Sequence, residues 1–282
     1  MNGIERDLCN ASIDAILAAY YALMEASVNE ALRRVASRYG KGDTLGLDAM
    51  PEITIDKRIR RYDPSAVFIT EETAPKEKLA IRLTDDPKQF KTVFVSDPTD
   101  RSVQFEAFLE QWKGTQKTVG EVIRDTGSRV RWEADYGTPA SITSSSSAIT
   151  CVYHGKPLFS VMVNYLMEQL FVASSKGVHH MHLPPTPTSL TLDQLMTKGT
   201  RLFFRVIDRN DPVVVRRFVT FLGKEGYFNN LKDSGLMETE AELKAAIHYD
   251  VPGGPLRILY LSQLQPKDKP IGFILANGEK IG

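Results

Sequence analysis

An α/β fold in layers, with helices alternating with two sheets, is what this sequence predicts, and three observations carry the prediction. The first is "IERDLCNASIDAILAAYYALMEASVNEALRRVASRY" (residues 4–39), with apolar residues three and four apart in an Ala-, Leu- and Glu-rich segment. The second is a pair of short apolar runs that each end in carboxylates, "AVFITEET" (66–73) and "KTVFVSDPTD" (91–100). The third is the stretch 144–177, where strand-like runs alternate with turns at "HGKP" and "LMEQ".

In chain order, residues 4–39 read as one long helix or two short ones, followed by a polar, Gly-containing break, "GKGDTLGLDAMP". "EITIDKRIRRY" then reads as a short strand running into a basic segment, and 66–73 and 91–100 as the next two strands. Residues 103–140 form an inserted stretch, partly helical at "QFEAFLEQW" and "TVGEVI". "HHMH" (179–182), beside "LPPTP", reads as a polar loop. The proline-rich "HLPPTPTSLT" marks a boundary between subdomains 1–183 and 184–282. Beyond it, "TRLFFRVI" reads as a strand and "DPVVVRRFVTFLGKEG" as a helix with Pro212 in its first turn and a glycine stop. Asp250 stands just before a further helix, and "IGFILANG" is a final strand.

Composition narrows the function classes. Of 282 residues, 42% are hydrophobic and 25% charged, as in an ordinary globular protein. Lys+Arg and Asp+Glu are both 35, a balance that gives no electrostatic footprint for nucleic acid or an anionic membrane. Two cysteines, Cys9 and Cys151, are too few for a disulfide framework and suit a reducing compartment. With no long apolar stretch and no signal-peptide core, the expectation is a soluble cytoplasmic protein.

The chemistry concentrates in the acids. Glu71 with Glu72, Asp97 with Asp100, and Asp250 each follow an apolar strand or open a helix, where ligand groups sit in an open α/β sheet. Clustered carboxylates without His or Cys are hard ligands of the kind Mg²⁺ takes, and a pair of such ions can activate water and neutralise a phosphoryl group. Backbone N–H groups after Asp100 can meet a phosphate at a helix N-terminus. Strand-end aspartates are also common turn formers and helix caps, and that reading stands beside the metal one. Other motifs are absent. "GKGDTLG" lacks the ending of a nucleotide-binding loop, and the serines at 144–147 lack a nucleophile-elbow frame.

Taken together, "FITEET", "VFVSDPTDRS" and "IHYDVPGG" resemble the three motifs of the inositol monophosphatase family, with its fructose-1,6-bisphosphatase and bisphosphate-nucleotidase relatives. Those motifs are a Glu-Glu pair after a strand, Asp-Pro-x-Asp-Gly-Thr/Ser, and Trp-Asp-x-x-x-Gly. "TIDKRI", the region 147–177 and "FILANGEKI" are similar to further family segments in the same order. The resemblance implies a layered α-β-α-β-α sandwich of two subdomains, of the sugar-phosphatase type, with the metal site between them. It implies Mg²⁺-dependent hydrolysis of a phosphate monoester, with a small phosphorylated sugar, polyol or nucleotide as substrate. It also implies a homodimer; the charge balance already points to no nucleic-acid or membrane partner. Glu71 would bind metal and orient the attacking water. Asp97 would bridge two ions, the Thr99 carbonyl would add a ligand, and Asp100 and Asp250 would hold the second ion. Ser102 would help activate the water and touch phosphate, and Asp56 would reach the site through water or a weaker third metal. Asp250 and Ser102 would also face substrate, and Arg101, beside them, is a further candidate substrate-binding residue by the fit of its guanidinium to phosphate.

The sequence departs from the family at several points. Arg101 stands where the family has glycine, and pairing with phosphate or obstructing the site are both open to it. Tyr249 replaces tryptophan, Pro252 falls where a small residue begins a helix, and the C-terminal subdomain, ending at Gly282, is expected to lack the family's terminal helix. The alternative expectation is a relative altered or silenced in catalysis that serves as a binding or regulatory protein.

Overall fold

The computed structural model describes residues 3–35, 44–70, 91–137, 140, 144–174, 177–202, 218–220 and 272–274. The chain divides into two compact units, Met1–Leu202 and Phe203–Ile281. In the first, helix α1 (Gly3–Glu25) ends before Ser27, whose side chain and that of Glu30 form a capping box that starts α2 (Val28–Ala31). Residues 4–39, open to one long helix or two short ones, hold a 23-residue helix and then a four-residue one that this cap begins, with 36–39 outside the described residues.

The segment "EITIDKRIRRY", expected as a strand, is instead the body of a helix, α3 (Gly46–Tyr62). Its buried residues Leu47, Asp48, Pro51, Glu52, Ile55, Asp56 and Ile59 recur every three to four positions, a helical period that outweighs the β-branched alternation at Ile53–Ile55. The presumed break contributes the first turns of this helix. Gly46 is required there, because a Cβ would overlap the Glu30 carbonyl.

Strands β1 (Val67–Thr70) and β2 (Thr92–Asp100) pair in parallel. After β2 come α4 (Ser102–Glu110), α5 (Val119–Arg124) and α6 (Ser128–Tyr136), which make residues 103–140 more fully helical than the sequence indicates. Then follow β3 (Ser146–Tyr153), β4 (Lys156–Asn164), β5 (Gln169–Ser174) and β6 (Gly177–His182), with α7 (Leu192–Lys198) leading into β7 (Thr200–Leu202). Among the described residues these strands make a seven-stranded sheet in sequence order, antiparallel throughout after the β1–β2 pair.

The β3–β4 turn falls at His154-Gly155, both at positive φ, the conformation that a two-residue hairpin turn requires. The "HHMH" segment is strand β6 rather than a loop. It is held between β5 and β7, and its His179 is buried.

In the second unit Phe218–Thr220 (β8) pairs in parallel with Gly272–Ile274 (β9). The latter fits the expected final strand. The former corrects the helix expected over "DPVVVRRFVTFLGKEG" at its middle, where three strand-forming residues, Phe, Val and Thr, take a parallel ladder; the rest of that segment lies outside the described residues. Among the described residues no helix is long and apolar enough to cross a membrane.

Helices α1 and α3 bury their apolar faces against β2, β3 and β4. An aromatic group extends that core: Tyr20 and Phe105 both stack on Tyr165, and Phe108 meets Trp132 edge-on. Cys9 of α1 and Cys151 of β3 lie fully buried in it, and desolvation pushes each thiol up to about 12. Between the ordinary thiol value and about 12, the unfolded chain loses these protons while the folded chain keeps them, so stability must fall as pH rises. We expect denaturant midpoints to decline above about pH 9, with the decline shallower in a Cys9→Ala/Cys151→Ala variant; equal slopes for both proteins would contradict this assignment.

Candidate functional site

The end of β2 carries the acids singled out in the sequence. Asp97 pairs with Ala148 of β3 and Asp100 with Ser146, and the ladder shifts register between them. This irregularity leaves the carbonyls at Pro98 and beyond without regular ladder partners, and buried carbonyls need donors. Side-chain hydroxyls supply them. Ser147 Oγ donates to the Pro98 carbonyl and also bonds the Tyr165 hydroxyl. Ser145 Oγ donates to the Arg101 carbonyl at 3.2 Å, and Ser96 Oγ donates across to the Ala148 carbonyl at 2.9 Å. Ser144 bonds Asn164. The serine run 144–147, which shows no motif in the sequence, is thus a fully buried strip, and two of its hydroxyls, those of Ser145 and Ser147, donate to the acid turn.

A second fastening comes from α3. Pro51 lies inside that helix and has no N–H, so the Leu47 carbonyl, four residues earlier, lacks its helical partner. Thr99 fills the vacancy: its Oγ1 donates to the Leu47 carbonyl at 2.8 Å, and Thr99 itself is buried. This bond brings the first turn of α3, including Asp48, beside the acid turn.

Tyr165 reports that proximity. Burial raises its phenol far above the ordinary value, the hydrogen bonds with Ser147 and Thr99 pull it back, and the charges of Asp48 and Asp97 push it up again. Asp48, Glu52 and Asp56 follow one another at four-residue spacing along α3, all buried. Glu52 accepts a hydrogen bond from Thr70 at the end of β1, and Asp56 accepts one from Arg60 Nε at 2.6 Å. Asp56, the expected water-mediated acid, therefore sits two helical turns beyond Asp48 with an arginine on its carboxylate. Asp48 is the acid the sequence reading missed; i, i+4, i+8 acids in a helical period were the available signal.

Arg101 follows Asp100 at φ 63°, ψ 38°, a left-handed conformation that costs an L-residue about 1–2 kcal/mol. The next residue, Ser102, opens α4, so the first free N–H groups of a helix lie directly after the two aspartates. The Arg101 guanidinium lies over the Trp132 ring of α6, 5.6 Å from its centroid. Glu71, Glu72 and Asp250 lie outside the described residues. Among the described residues, no three His, Cys, Asp or Glu side chains gather closely enough to hold a metal ion.

No protein-family model matches the chain, and no curated protein does. Solved structures are similar in outline. CysQ from Bacteroides thetaiotaomicron, described as a bacterial member of the inositol monophosphatase family, is 13% identical, over 90% of this chain and 75% of that one, at a TM-score of 0.45. The extragenic suppressor protein SuhB from Bartonella henselae is 14% identical, over 96% and 78%, at 0.46. An IMPase/NADP phosphatase complexed with NADP and Ca²⁺ is 11% identical, over 83% and 62%, at 0.41. At this distance the similarity assigns the chain neither a family nor an activity.

The proline-freed carbonyl makes a measurable prediction. Thr99→Val removes the donor and leaves the Leu47 carbonyl buried and unsatisfied, at a cost of about 1–3 kcal/mol in denaturant unfolding. In a Pro51→Ala background the new N–H at position 51 can take that carbonyl, so Thr99→Val should cost visibly less; an unchanged cost would show that the carbonyl is not what Thr99 serves.

Proposed function

We propose that the chain is a Mg²⁺-dependent phosphomonoesterase of the inositol monophosphatase type, acting on a small phosphorylated sugar, polyol or nucleotide. One observation carries the reading: β2 delivers Asp97 and Asp100 to a strand end that passes through a single left-handed residue into the N-terminus of α4. Hard carboxylate donors and the first N–H groups of a helix then share one turn, which suits a divalent cation and a phosphate together.

The donor chemistry fits Mg²⁺, being oxygen throughout. Asp97, Asp100 and the Thr99 carbonyl, with Glu71 and Asp250 from outside the described residues, would hold it. When bound, Mg²⁺ supplies Lewis acidity and makes water a nucleophile near neutral pH. The chain's own residues do the rest. The α4 N-terminus binds and orients the phosphoryl oxygens, Ser102 holds the attacking water by hydrogen bonding, and Glu71 orients it. Asp48, brought to the turn by the Thr99–Leu47 bond, is added to the acids that tune the site.

Phosphate release should be measured with inositol phosphate, fructose bisphosphate and a 3′-phosphonucleotide, with and without Mg²⁺. Release from at least one should require Mg²⁺ and fall about a hundredfold or more in Asp97→Asn, since Asp97 would be one of the charged residues that hold the cation, and the amide supplies no charge. Release that survives Asp97→Asn would place catalysis elsewhere. Wild-type protein that binds Mg²⁺ without releasing phosphate would identify a binding or regulatory relative instead.

A further inference from the structure

We infer that Arg101 is a positioning residue, whose guanidinium, latched onto Trp132 of the α5–α6 segment, keeps the acid turn in its left-handed conformation rather than binding phosphate. This rests on the reading of that turn as a cation site. Among the described residues, three other than glycine have positive φ: Arg101, His154 and Glu168. His154 belongs to a hairpin turn whose geometry explains it. The other two are both braced by the same helical segment. Glu168 receives Arg124 Nε at 2.7 Å and lies 3.8 Å from Arg129 Nη2. Arg101 is received by the Trp132 ring.

The platform under Arg101 is rigid. Trp132 is fully buried, edge-on to Phe108 of α4, with the Tyr136 ring 4.5 Å away. Tyr136 Oη donates to the Gln104 carbonyl at 2.8 Å, which docks α6 across the first turn of α4. The backbone of Arg101 is gripped from the other side, its carbonyl accepting from Ser145 Oγ and from the Phe105 N–H. Strained backbone persists where the surroundings over-determine it, and here both the carbonyl and the side chain are held. A guanidinium lying over a buried indole is engaged by α6, and rotating it toward an anion would surrender that contact.

Glycine adopts this conformation unaided, whereas alanine has neither glycine's freedom nor the latch. The test compares Arg101→Gly, Arg101→Ala and Trp132→Phe, each alone, and Trp132→Phe combined with Arg101→Gly. Mn²⁺ affinity, thermal unfolding and the KM for the best phosphate ester are read for each. Arg101→Gly should bind Mn²⁺ roughly five- to tenfold more tightly than Arg101→Ala. Trp132→Phe should weaken Mn²⁺ binding in the wild type and have no such effect in the Arg101→Gly background. Equal Mn²⁺ affinity in the glycine and alanine variants overturns the latch. So does a raised KM in Arg101→Gly with Mn²⁺ affinity kept, which would make the guanidinium a phosphate ligand. If the wild type binds no Mn²⁺, the proposed function fails, and thermal unfolding alone judges the latch. A Trp132→Phe destabilisation that shrinks in the Arg101→Gly background then supports it, and a strictly additive one overturns it.

Discussion

Everything at the candidate site depends on how the carbonyls between Asp97 and Ser102 are satisfied. A strand that ends in two carboxylates and turns at once into a helix breaks its ladder, and Pro98 and Thr99 are buried where it breaks. An unpaired buried carbonyl costs as much as a lost hydrogen bond, about 1–3 kcal/mol, so each must find a donor or the turn must unwind. Ser145 and Ser147 donate to two of them. Their side chains are short, so donating to these carbonyls holds the turn close against β3.

The same accounting explains α3. A proline within a helix ordinarily removes one bond and leaves a carbonyl exposed to loss. Here the orphaned carbonyl of Leu47 is the acceptor for Thr99, so the defect in one element becomes the attachment point of another. The consequence for function is positional. Asp48, at the start of the helix, stands beside the turn, while Asp56, farther along, is engaged by Arg60.

The segment α5–α6 works from the opposite side. Its arginines, Arg124 and Arg129, reach the β4–β5 turn at Glu168 and Leu166, while its Trp132 and Tyr136 reach the start of α4. One short helical pair thereby spans two turns whose backbones are individually unfavourable, and its Trp132 joins the core edge-on to Phe108 of α4.

Much of this was legible in the residues themselves. The apolar runs of β2 to β5, the His154-Gly155 turn and the acids at the end of β2 are local patterns, set by side-chain period and by backbone freedom, and they appear in the structure where the sequence puts them. What was not legible depends on partners distant in the chain. Ile53–Ile55 alternates like a strand, and only burial of Leu47, Glu52, Ile55 and Ile59 on one face makes it a helix. "HHMH" has the polarity of a loop, and its strand exists because β5 and β7 flank it. Four serines carry no pattern by themselves; two of them, Ser145 and Ser147, become donors to a turn more than forty residues earlier in the chain because β3 lies against it. Local sequence determines the conformation a segment prefers, whereas the need to satisfy buried polar groups is settled by whichever segments the tertiary fold brings into reach.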